Sequence, residues 1–107
     1  NVIVERICPG ARPVPFGHLG DGNIHYNISQ PIGGDRTGFV TRTAHDINAA
    51  VHDLVHELKG SISAEHGIGR SKRDELPRFK SAVELELMRG IKAAFDPNGI
   101  LNPGKVI

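Results

Sequence analysis

Residues 12–29 read Arg-Pro-Val-Pro-Phe-Gly-His-Leu-Gly-Asp-Gly-Asn-Ile-His-Tyr-Asn-Ile-Ser, and the fold turns on how this stretch is read. Two extended segments flank Gly20-Asp21-Gly22-Asn23, and Asp-Gly between extended runs is a strong hairpin signal. With Asp21-Gly22 as a two-residue turn, Gly20 faces Asn23, Leu19 faces Ile24 and His18 faces His25. Side chains opposed in this way start about 4.5–5.5 Å apart. Alternation puts His18, Asn23, His25 and Asn27 on one face, and Leu19, Ile24, Tyr26 and Ile28 on the other. The second face is apolar and suits packing against helices. The first offers two imidazoles and two amides. Two convergent neutral imidazoles suit a divalent transition metal when a carboxylate from elsewhere completes the site. The competing reading is a solvated cross-strand pair beside an ordinary turn.

Working outward, Val2, Ile3, Arg6 and Ile7 have helical spacing that Pro9-Gly10 stops. Downstream, Pro31 to Gly38 reads as a loop. Ile47, Ala50, Val51, Leu54, Val55 and Leu58 recur at three and four, which predicts an amphipathic helix over Phe39 to Lys59, ended by Gly60. Ser61-Ile62-Ser63 is a short strand candidate. Ser81 with Glu84 three residues on is a capping box, opening a helix expected to carry Val83, Leu87, Ile91 and Phe95 inward. Asp96-Pro97-Asn98-Gly99 and Asn102-Pro103-Gly104 are successive turns. No repeat or linker interrupts residues 1–107, so the expectation is one α+β domain, an antiparallel sheet covered on one face by helices.

Composition supports one small core: 107 residues, 38% hydrophobic, with thirteen glycines and seven prolines marking many special backbone positions. Thirteen basic and twelve acidic residues leave a formal charge of +1, without the surplus a nucleic-acid face needs. One cysteine, Cys8, excludes an internal disulfide, and with no acidic or histidine neighbour it reads as structural. No membrane span or signal peptide is visible in this sequence, so the expected location is the cytoplasm, or the mitochondrion in a eukaryote. The chain opens on Asn1 with a helix already under way and therefore reads as part of a longer protein. Surface that a missing part would cover predicts self-association of the isolated piece.

Glu65-His66-Gly67-Ile68-Gly69 supplies the other candidates. Gly67 and Gly69 let the backbone approach a ligand closely. In extended backbone, neighbouring side chains point to opposite sides, so one of Glu65 and His66 can ligate while the other faces a substrate. The carboxylate as ligand and the imidazole as base is the more economical division, because a metal-bound histidine cannot take a proton. His52 and His56 have the four-residue spacing of helical ligands, but they and His45 sit off the apolar stripe and read as solvated.

Three segments together carry a resemblance: Gly17-His18-Leu19-Gly20-Asp21-Gly22-Asn23-Ile24-His25, then Ser63-Ala64-Glu65-His66-Gly67-Ile68-Gly69 with Lys72, then Asp96 to Lys105. In this order they resemble the FAD-linked oxidase C-terminal domain of the D-lactate, D-2-hydroxyglutarate and glycolate dehydrogenase group, over nearly the whole chain. The resemblance implies a substrate domain that closes over FAD held mainly by a separate domain, and oxidation of a 2-hydroxy acid to a 2-oxo acid. It implies that His18, His25 and Glu65 bind a divalent metal, zinc first, with manganese and iron also compatible. It further implies His66 as base, Asn27 on the substrate side, and an electron acceptor for reduced FAD. Gly67, Gly69 and Asn102 are the candidate flavin contacts in this chain, although spacing does not single out Asn102.

Two rival functions remain on the residues alone. Two histidines and a carboxylate also form the site of flavin-independent metal oxygenases, but there the usual order is His-x-Asp/Glu followed by a distant His, whereas here the carboxylate comes last. A non-catalytic interaction module is the other, disfavoured by an aromatic content of 5%.

Overall fold

A computed structural model describes all 107 residues, in two compact units, Asn1–Ala64 and Glu65–Ile107. The first unit holds helix α1 (Val2–Ile7), strands β1 (Arg12–His18) and β2 (Asn23–Ser29), and helix α2 (Arg36–Glu57). The second holds α3 (Leu76–Phe79) and α4 (Ala82–Phe95). The strands form a two-stranded antiparallel sheet, so the chain is α+β as expected. No helix is long and apolar enough to cross a membrane.

In the first unit, Val4 of α1, Ala11 and Ile47 of α2 form a buried core, with Tyr26 and Ile28 of β2 and Cys8, Phe39 and Val51 packed against it. The apolar hairpin face thus reaches the helices through Tyr26 and Ile28, and Cys8 packs as a small apolar side chain. Helix α2 begins three residues before the expected start, inside what reads as a loop. Asp35 makes the difference, accepting from the amides of Thr37 (3.1 Å) and Gly38 (2.7 Å) as an N-cap. At its other end Lys59 takes the left-handed conformation (φ 58°), and the Gly60 amide donates to the Val55 carbonyl at 2.8 Å.

Three expectations are corrected. The hairpin is not closed by a two-residue turn: its loop runs from Leu19 to Gly22, and the register pairs His18 with Asn23, Gly17 with Ile24 and Phe16 with His25. A type I′ turn requires two consecutive left-handed residues. Here Gly22 is left-handed (φ 71°), whereas Asp21 instead turns its carboxylate to the Asn23 amide (3.4 Å) and Nδ2 (3.2 Å). Leu19 consequently leaves the apolar face and is fully exposed. Ser61–Ser63 is not a strand, because the Ser61 hydroxyl bonds both the amide (3.1 Å) and the carbonyl (3.0 Å) of Ser63 and bends the chain. In α4 the buried residue is Leu85, while Val83, Leu87, Ile91 and Phe95 are 61–80% exposed. The stripe is apolar, but periodicity does not specify what covers it.

The second unit ends in a strap tied at both ends. Buried Asp96 accepts from the amides of Ile100 (2.8 Å) and Leu101 (2.9 Å), and Lys92 bonds both Asp96 and the Leu101 carbonyl. These contacts hold the Asp96 carboxyl below its usual pKa, the Lys92 ammonium first among them. Further on, the Val106 amide donates to the Gly69 carbonyl at 2.7 Å. Val106 does so at φ 69°, a conformation that a β-branched residue adopts only under constraint.

Candidate metal centre

The hairpin brings the two imidazoles together by a different route from the one the sequence suggests. His18 and His25 are not directly opposed. They sit on the same face, one ladder step apart, because positions 16 and 18 of β1 share a face with 23, 25 and 27 of β2. Their ring centroids are 5.9 Å apart and the ring planes meet at 83°. Asn27 lies on this face too, two residues beyond His25 and opposite Val14. Gly17 permits the close approach. A Cβ there would run into the Asn23 carbonyl oxygen and come within 3.0 Å of the Ile24 Cα.

Two neighbours of the imidazoles escape a reading based on the Asp-Gly turn. Phe16, directly opposite His25, stacks on it with centroids 4.9 Å apart and planes within 1° of parallel. Asn23, directly opposite His18, bonds His18 Nδ1 through its amide at 3.1 Å. The signal that finds them is the register itself, two residues away from that of a tight turn.

Glu65 and His66 stand in a bent segment of the second unit. They do not diverge as extended backbone would make them: the Glu65 carboxylate lies 3.9 Å from His66 Nε2. His66 is 85% exposed and Glu65 about half that, so the imidazole is the more open of the two. A Cβ added at Gly67 or Gly69 would meet nothing within 4 Å, and Gly69 has φ 56°. The loop backbone is therefore open to a large planar ligand. Asn102, exposed and left-handed (φ 47°), belongs to the strap that returns to Gly69. Of the other histidines, His45 and His56 are exposed and His52 is half-buried on α2.

The family whose profile matches residues 4–106 is described as FAD linked oxidases, C-terminal domain. The chain belongs to this family. Within it, this oxidase domain is similar to D-2-hydroxyglutarate dehydrogenase of Stutzerimonas stutzeri, 47% identical over 99% of this chain and 23% of the relative. It is 41% identical to the D-2-hydroxyglutarate–pyruvate transhydrogenase of Saccharomyces cerevisiae over its full length, which is 20% of that protein. It is also 41% identical to the mitochondrial D-2-hydroxyglutarate dehydrogenase of Bos taurus over 95% of this chain and 18% of that enzyme. The oxidase domain thus spans about a fifth of the length of these relatives.

The donor set fits a divalent metal: two imidazoles on one face suit zinc, manganese or iron, and a carboxylate is the usual third ligand. The open, glycine-bearing loop fits a contact with FAD.

Proposed function

We propose that this oxidase domain is the substrate-side portion of an FAD-dependent D-2-hydroxy acid dehydrogenase, with D-2-hydroxyglutarate as the leading substrate and D-lactate the next. The observation that carries the proposal is the imidazole pair on one hairpin face, 5.9 Å between ring centroids and beside Asn27, in a chain of this family. His18, His25 and Glu65 are assigned as ligands of a divalent cation, zinc before manganese or iron. Bound FAD would supply the two-electron acceptor, and the cation the positive charge that lowers the pKa of a chelated hydroxyl. His18 and His25 orient the 2-hydroxy acid through the cation, and the Asn27 amide faces the substrate carboxylate. His66 takes the hydroxyl proton on an imidazole nitrogen, with the Glu65 carboxylate 3.9 Å from its Nε2. Gly67, Gly69 and Asn102 present backbone and amide towards the flavin. The product is a 2-oxo acid. The name of the yeast relative couples D-2-hydroxyglutarate to pyruvate, which makes a second 2-oxo acid one electron acceptor to try.

The test is made in the intact protein that carries this chain. His66→Ala is expected to cut turnover by about 10²–10⁴-fold, the range for general-base assistance, and to keep its metal. His25→Ala and Glu65→Ala are expected to lose metal and turnover together. Equal metal loss in all three variants would move His66 into the ligand shell and undo the division of roles. The exposed stripe of α4 supports self-association of the isolated 107 residues, to be read as a light-scattering mass above that of one chain.

A further inference from the structure

The hairpin register gives each imidazole its own partner directly across the ladder: Phe16 for His25, and Asn23 for His18. We propose that Phe16 is a positioning residue that sets the His25 imidazole for metal ligation before any metal arrives. The inference rests on the metal-centre reading above.

The lone pairs of an imidazole lie in its ring plane, so a histidine ligates only where its plane and rotamer aim that edge at the metal. A parallel stack at 4.9 Å and 1° covers one face of the His25 ring and fixes the plane. The nitrogens lie at the ring edge, which the stack leaves uncovered. His18 is more exposed than His25 and has no such stack in its ladder position. Its Nδ1 instead accepts from the Asn23 amide nitrogen, which also donates to Asp21. Outer partners that orient histidine ligands in this way commonly set metal affinity by about 10–100-fold. The orientation that a metal would otherwise have to impose is already present in the strand pair.

The experiment measures zinc affinity by chelator competition, together with the zinc-edge X-ray absorption spectrum, in the intact protein and two variants. Phe16→Leu keeps an apolar side chain but removes the flat ring. It is expected to weaken zinc about 10–100-fold and to broaden the spread of Zn–N distances. Phe16→Tyr, which restores the ring, is expected to return both to the parent's values. A purely structural role would lower thermal stability without widening the Zn–N shell. Should Phe16→Leu bind zinc as the parent does, with an unchanged absorption spectrum, the positioning role is overturned while the metal centre stands. If the parent itself takes up no zinc, manganese or iron, the metal centre falls and this role with it.

Discussion

At the scale of single residues, function depends on which atom each side chain presents. His66 is the open member of the Glu65–His66 pair, and a base must be reachable by the substrate's hydroxyl. This is why the His66→Ala variant is expected to separate turnover from metal content. Gly17 is the residue with least latitude, since a side chain there meets the Asn23 backbone and not a movable side chain. Gly17→Ala is expected to pry β1 from β2 at the end that carries His18, with metal uptake lost along with hairpin order; measured zinc content and amide hydrogen exchange across residues 12–29 check it. The residue types of the candidate site were legible in the sequence, because imidazole, carboxylate and amide chemistry is written in single letters. The neighbours of the two imidazoles were not. Phe16 and Asn23 acquire their partners only through the register, and the register followed from an Asp21 side chain that holds the Asn23 amide in place of a tight turn.

At the scale of elements, local signals read well and long-range ones poorly. The Ser81–Glu84 capping box is present as the sequence indicates: the Ser81 hydroxyl accepts from the Glu84 amide, and the Glu84 carboxylate accepts from the Ser81 amide at 2.9 Å. The backbone bond from Ser81, then the Lys80 ammonium at 3.0 Å, lower the Glu84 pKa to about 2 from 4.5. A carboxyl whose folded-state pKa is depressed contributes stability above its unfolded value and loses that contribution as pH falls through the folded one. The N-terminus of α4 is therefore expected to weaken between pH 4.5 and about pH 2, followed by far-ultraviolet circular dichroism, and Glu84→Gln is expected to flatten that dependence. Ser81→Ala removes one side of the box and is expected to cost about 1 kcal/mol at neutral pH, read from a denaturant melt. Burial of the α4 stripe was not legible, since a periodic pattern states that one face is apolar and not what lies against it. The start of α2 was hidden for a related reason. Glycines in Pro31–Gly38 look like a loop until the Asp35 carboxylate is seen to cap two amides.

At the scale of the whole molecule, the family and the α+β class were legible because three motifs lie in order along nearly the entire chain. The proposed cation would couple ligation to folding through mass action. A metal that binds the folded hairpin and not the unfolded chain at a hundred times its dissociation constant adds about 2.7 kcal/mol of stability. Thermal melts with and without zinc are expected to separate by that amount for the parent and to coincide for His25→Ala. The tie between Val106 and the Gly69 carbonyl has a practical side as well. A protease cut or a shortened expression design that removes Val106 would release the loop backbone only three residues past His66, so the effect is expected at the imidazole proposed as the base while His18, His25 and Glu65 stay in the polypeptide.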